Sequence, residues 1–275
     1  MKPQFPLVFS TLCQRVSMGA YALGMVAIYL FGMDIAFGWL TLVALVVLGA
    51  GMLGSMAHLG RPARFLNTFA NMKSHLSQEG LLVFVVGVLF IAVGIDGWLA
   101  VYPSTIALAL RTVALLAALA FIVTTALAYH MPSRPAWKSY STPITFLLTW
   151  LSIGAVSVLA WATVSGVDVS AGFYWLTAAL MAAAVLGQAY YVFYVGNVGY
   201  RIDVRPLADE YRVVFVSWVV LGVVVPALIM VVIIAMGGNV ALAIALFVFS
   251  ASALCVWQAF FFLCGKEIWY FPDYD

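Results

Sequence analysis

The sequence predicts an all-α integral membrane protein, a bundle of eight transmembrane helices, and three observations carry that expectation. Of its 275 residues 66% are hydrophobic and only 8% charged, with a mean hydropathy of +1.12. Soluble domains carry roughly 25% charged residues, so a soluble chain of this composition could not cover its own surface with polar groups. A spanning helix needs about 20 apolar residues, and runs of that length recur eight times, at 5–32, 36–59, 79–101, 105–130, 144–165, 171–199, 211–236 and 239–264. The third observation is the placement of charge, which falls almost wholly on the segments between alternate runs.

The first run opens at Phe5. It is too long for the core of a signal peptide and is expected to stay as the first membrane helix; it carries Gln14 and Arg15 in its interior. A short turn at Asp34 leads to the second run, which ends in Met56-Ala57-His58-Leu59-Gly60-Arg61-Pro62. After the loop 60–78 the third run is expected to open at Glu79, in Leu76-Ser77-Gln78-Glu79-Gly80, and to continue past Asp96 to residue 101. Tyr102-Pro103-Ser104 turns the chain into the fourth run, where Arg111 lies about a turn from the start and is expected to snorkel to the membrane edge. The loop 131–143 holds Trp137 and Tyr140, expected as aromatic-belt residues, together with the helix-breaking Pro143. Gly166-Val167-Asp168 separates runs five and six, the loop 200–210 separates six and seven, and Gly237-Gly238-Asn239 separates seven and eight. The pattern is four helical hairpins in one domain, residues 1–275, with no repeat and no low-complexity tract.

An even number of spans puts both termini and the three longer loops on one side. That side gathers Lys2, Arg61, Arg64, Lys73, Arg134, Lys138, Arg201, Arg205, Arg212 and Lys266, ten basic residues, against none on the other, which holds Asp34 and Asp168 with Asp96 near by. The positive-inside rule makes the loop-rich side cytoplasmic; the same ten charges also make it a docking face for a partner subunit. No Lys/Arg run suggests nucleic-acid binding. Cys13, Cys255 and Cys264 form no CxxC pair, so no iron–sulfur cluster or structural zinc is expected on this chain.

Chemistry can rest on few residues. Only three His (His58, His75, His130) and three Glu (Glu79, Glu210, Glu267) exist. The loop 60–78 returns the chain to the face it left, so His58, Glu79, Arg61 and Arg64 can meet at one depth. That grouping suits oxidation of a quinol, which sheds two protons with its two electrons. A neutral imidazole accepts a proton near physiological pH, and a carboxylate at a helix start can accept and relay another. Arg61 would hold Glu79 ionised or attract a semiquinone anion, and Gln14 could reach the same depth and orient the ring. The bland alternative is an interfacial His and a first-turn Glu favoured by the helix dipole. A haem between His58 and His130 is conceivable, but neither is mid-span and no second pair exists, so no haem is expected. A secondary transporter would need polar midplane residues in broken helices, for which Gln188, Asn197 and Gln258 are the candidates and none is ionisable.

Three segments resemble the membrane anchor subunit of dimethyl sulfoxide reductase. Phe5-Pro6-Leu7-Val8-Phe9-Ser10-Thr11, with Gln14 and Gly19 following, is similar to that family's opening helix. Ser55 through Asn67, continuing to Leu76-Ser77-Gln78-Glu79, is similar to its His-Leu-Gly-x-Pro…Asn…Leu-Ser-x-Glu signature. Pro135-Ala136-Trp137 through Ser141-Thr142-Pro143 resembles its lead into the fifth helix. The likeness is good over about the first 150 residues and rests on helix number and length beyond. It implies a three-subunit complex, in which a molybdopterin catalytic subunit and an iron–sulfur subunit lie outside the inner (cytoplasmic) membrane. It also implies that the anchor oxidises menaquinol without haem, with His58 and Glu79 as its site residues. Anchors of the polysulfide and tetrathionate reductase type, which share this chemistry, are the neighbouring alternative. Catalytic subunits of the family are usually exported, so the resemblance sets the docking face on the side opposite to that chosen by the charge count.

Overall fold

A computed structural model of the chain describes residues 5–58, 71–131, 134–199 and 212–265. Among these residues it has eight long helices and no strand: α1 Phe5–Tyr29, α2 Phe37–His58, α3 His75–Leu99, α4 Ser104–Ala128, α5 Ser141–Val164, α6 Ala171–Gly199, α7 Arg212–Met236 and α8 Val240–Cys264. α2 to α8 are each long and apolar enough to cross a membrane. α1 matches them in length but is the most polar, and it is buried in protein, packing on α2, α4, α5 and α8. Sixteen of its 25 residues are buried, among them Ser10, Thr11, Gln14, Arg15 and Ser17. This is how a bilayer protein accommodates polar side chains at depth: they face protein rather than lipid.

Helix termini explain the differences from the expected boundaries. α3 starts at His75, one turn earlier than expected, because Ser74 takes an extended N-cap conformation and Gln78 bonds back to the Met72 carbonyl at 3.1 Å and to the His75 ring at 3.0 Å. Glu79 therefore sits in the second turn, not at the helix start, and the first turn carries no acidic residue. α7 is continuous, but Val219–Val224 form a π-helical turn. Its cause is Pro226, which has no N–H to give and whose ring crowds the carbonyl of residue 222, so the ladder widens there.

Close backbone approach holds α1 in the centre. A Cβ on Gly19 would lie 2.7 Å from the Trp150 carbonyl oxygen and 2.8 Å from Gly154 Cα, so α1 and α5 touch through two glycines. Ser17 donates to the Ala44 carbonyl of α2 at 2.6 Å. At the short-turn end Arg111 is paired among residues close to the helix ends. Its guanidinium bonds Asp96 at 3.2 Å and Tyr29 at 3.2 Å and lies over the Phe37 ring at 5.0 Å, while the Asp96 side chain is 3% exposed. Tyr21 of α1, fully buried, stacks on Phe90 at 4.4 Å and donates to the Arg111 carbonyl.

At the loop-rich end the segment 134–140 folds inward. Pro135–Trp137 form a short 3₁₀ turn that drives Trp137 into the bundle, where its indole donates to the Phe261 carbonyl at 3.0 Å and stacks on the Phe261 ring at 4.9 Å. Trp137 is thus a core residue rather than a belt residue, whereas Tyr140 is 80% exposed. Arg134 follows it, donating to the Gly265 carbonyl at 2.7 Å.

With eight spans, reporter fusions at Asp34 and at residue 70 should report opposite faces of the membrane. Two reporters active on the same face would exclude this topology.

A candidate polar site inside the loop-side end of the bundle

Side chains of α1, α3, α4 and α5 gather toward the loop-rich end, Glu79 about one turn and Arg15 nearly three turns into their helices. From α3 the Glu79 carboxyl is turned toward the Gln14 side chain of α1 and the Thr125 hydroxyl of α4. Gln14 is itself buried and reaches Ser10 one turn back at 3.4 Å. Thr125 and Tyr129 lie four residues apart, on one face of α4 and its cap. The Tyr129 hydroxyl sits in the fields of both the Glu79 carboxyl and the Arg15 guanidinium. The Tyr129 ring is fixed among Trp137, Phe146, Phe261 and Phe262, with centroids 5.2–5.8 Å away.

Arg15 is the most unusual member. It is 3% exposed, and its guanidinium lies 4.2 Å from the centroid of Phe146. Neither terminal amine has a hydrogen-bond partner among the described residues. From α8, Cys255 comes within electrostatic reach of Arg15, and one turn further the Gln258 amide is buried with neither its nitrogen nor its oxygen bonded among those residues. Buried polar groups almost always have partners, and a buried cation without an acceptor is costly. Such a cluster is suited to a polar guest that can accept from Arg15 and donate to Glu79.

The structure brings together two of the five residues expected from sequence, Glu79 and Gln14. His58 closes α2 at the same end of the bundle, its side chain lying outside what is described; Arg61 and Arg64 lie outside the described residues. Of the other histidines, His75 bonds Gln78, and His130 is held against the Ser139 carbonyl at 3.3 Å and the Tyr140 ring. Among the described residues no three His, Cys, Asp or Glu side chains converge as metal ligands would. Sequence reading gave no role to Thr125 or Tyr129. Nothing in their spacing marks them, because a Thr and a Tyr at a helix end are ordinary. Arg15 was visible as a charge within a span, but its neighbours were not.

Beside this cluster, between α1, α2, α5 and α8, runs an apolar groove of about 340 Å³, bordered by Val16, Ala20, Val43, Trp161 and Phe247. Ser17, the next polar residue along α1 from Arg15, also lines it. These features define a polytopic helical membrane protein with an ionisable polar cluster, Arg15 and Gln14 buried and Glu79 and Tyr129 half-buried, set in one end of its bundle.

The chain belongs to the DMSO reductase anchor subunit (DmsC) family, whose sequence pattern matches residues 1–262. One of the polypeptides of the anaerobic dimethyl sulfoxide reductase of Escherichia coli (strain K12) is 33% identical over 129 residues, a match covering 45% of this chain and 44% of that protein. The aligned part thus spans less than half the length of the relative.

Proposed function

We infer that this chain is the quinol-oxidising anchor of a molybdopterin reductase in the inner membrane, and that its substrate site is the polar cluster around Glu79. The observation that carries the reading is the Glu79 carboxyl inside the bundle, facing Gln14 and Thr125 and sharing Tyr129 with Arg15. Oxidising a quinol breaks two O–H bonds and releases two electrons and two protons. Glu79 accepts one proton and passes it to the loop-side water; His58, at the end of α2, accepts the other. Arg15 faces the oxygen that becomes negative as its proton leaves, and Gln14 fixes the ring's orientation. Arg61 and Arg64, close in sequence to His58, supply positive charge at the mouth. The isoprenoid tail lies in the apolar groove beside α1. The electrons leave one at a time to an iron–sulfur subunit docked on the basic face, where charge complementarity favours an acidic partner surface, and pass on to the catalytic subunit. That subunit fixes the terminal substrate. A short path from Glu79 to the loop-rich end suits this transfer.

The complex purified through this chain should contain iron–sulfur and molybdopterin subunits, and it should couple menaquinol oxidation to reduction of dimethyl sulfoxide. His58→Arg should abolish the quinol-driven reaction while an artificial donor to the catalytic subunit still drives reduction. A complex in which His58→Arg retains full menaquinol oxidation would overturn the assignment.

A further inference from the structure

The second half of the bundle holds a separate feature that the quinol-oxidising site does not use. Thr149 and Ser152 of α5, Gln188 of α6, Trp218 of α7 and Ser250 of α8 line a polar cavity of about 50 Å³. Each water needs roughly 10–15 Å³ of such space, so it holds a few waters and no ring. Met181, Val185 and Gly222 line both this cavity and an apolar groove of about 650 Å³ between α6 and α7, so the two spaces adjoin. That volume falls in the range of sites that bury an organic ligand, roughly 300–1,000 Å³.

The wall at the junction is built. Gln188, which lines the cavity, is 6% exposed; its Oε1 accepts from the Trp218 indole at 3.1 Å, and its Nε2 has no acceptor among the described residues. The Ser250 hydroxyl is buried without a partner among the described residues. Gly222, at the centre of the π turn of α7, borders both spaces, and a Cβ there would meet Ala253 at 2.9 Å and the Trp218 indole at 3.2 Å. π turns of this kind recur at functional sites.

Depth selects the occupant. Trp218 lies six residues into α7 and Thr149 eight residues into α5, which at 1.5 Å per residue is about 9–12 Å below the loop-side helix ends. From Leu186, close to Gln188, the groove runs along α6 to Trp175 and along α7 to Ala235, at the opposite end of the bundle. Thirteen residues separate Gln188 from Trp175, or about 20 Å of helix. Among the described residues no Asp, Glu, His, Lys, Arg, Tyr or Cys lines either space. A phospholipid head is charged and stays at the interface, and an acylglycerol head is held there by its hydroxyls. An uncharged head at hydrocarbon depth, carrying an oxygen that can accept from an amide and followed by a long apolar tail, is a prenylated quinone.

We propose that the α6–α7 groove binds one prenylated quinone in addition to the molecule oxidised near Glu79. Its ring lies at the mouth of the polar cavity, one ring oxygen accepts from Gln188 Nε2 directly or through a water, and its tail runs along α6 and α7. With no titratable group among the described residues of the wall, this site holds the molecule without taking protons from it.

The test uses the full chain in its complex, in phospholipid nanodiscs, with a photoreactive azido prenyl benzoquinone and mapping of the labelled peptides. Label is expected on α6 or α7 within 181–188 or 219–227, apart from any label near Glu79. Ala227→Phe fills the groove from its exposed side and should cut the α6–α7 label at least tenfold, leaving quinol-driven turnover unchanged. Gln188→Leu should also reduce it, with the unfolding temperature of the complex read in parallel because Trp218 loses its acceptor. The proposal fails if α6 and α7 stay unlabelled at saturating probe, if Ala227→Phe leaves their label intact, or if a partner helix proves to cover the groove. Label near Glu79 is scored on different peptides, so the two sites stand or fall separately.

Discussion

Replacing Glu79 by Gln is expected to lower quinol-driven turnover of the complex by at least about 100-fold, the lower end of what a positioned proton acceptor contributes. Reduction driven by an artificial donor to the catalytic subunit should not change. The substitution keeps the shape of the side chain and its ability to meet Gln14 and Thr125, but an amide cannot accept and pass on the quinol proton. The predicted split, one donor lost and the other kept, separates this role from a structural one, because a misassembled anchor would lose both. Glu79→Asp retains the carboxyl on a shorter arm and should recover part of the rate. Glu79→Lys should abolish the quinol reaction, since it removes the proton acceptor and sets a second cation in the cluster that Arg15 shares through Tyr129. Full quinol-driven activity in Glu79→Gln, measured at saturating menaquinol analogue, would remove this residue from the reaction.

What the sequence made legible follows from how strongly each feature is constrained by the bilayer. Spans were legible because every lipid-facing stretch must be apolar for about 20 residues, and the turns Asp34, Gly166-Val167-Asp168 and Gly237-Gly238-Asn239 fall between helices where expected. The start of α3 was not, because it depends on Ser74 and Gln78 satisfying the first turn, and the polar residues that do this read as loop. Pairing of charges was not legible either. Asp96 and Arg111 are fifteen residues apart on two helices, and only the hairpin geometry brings them together. Trp137 looks like a belt residue by composition, and its burial depends on a carbonyl of α8 more than a hundred residues away. Glu79 and Gln14 were singled out because polar residues near or within a span are few. Thr125 and Tyr129, which complete their surroundings, carry no charge and so left no signal. The π turn of α7 was signalled by Pro226 alone, and which neighbours it opens toward is a matter of packing.

Arg15 gives the sharpest separation between structure and function. A guanidinium that is 3% exposed and has both terminal amines unpartnered among the described residues recovers little of its desolvation from them beyond the attraction of the Phe146 ring. Replacing such a group by an apolar side chain of similar length removes a poorly compensated charge. Arg15→Met should therefore leave the unfolding temperature of the complex unchanged or raise it. If the guanidinium serves the leaving proton's oxygen, the same variant loses a hydrogen bond to a charged group, worth roughly 1.5–3 kcal/mol, which is about a 10- to 100-fold loss in kcat/KM for menaquinol at 1.4 kcal/mol per decade. Artificial-donor activity should again persist. Arg15→Lys keeps the charge on a shorter, non-planar head and gives up the stacking on Phe146, so it should fall between the two. A purely structural arginine predicts the reverse for Arg15→Met, a drop in unfolding temperature with quinol kinetics intact in whatever complex survives. Measuring both quantities on one preparation decides between them, and intact quinol kinetics in a stable Arg15→Met complex would exclude a role for this cation in the site.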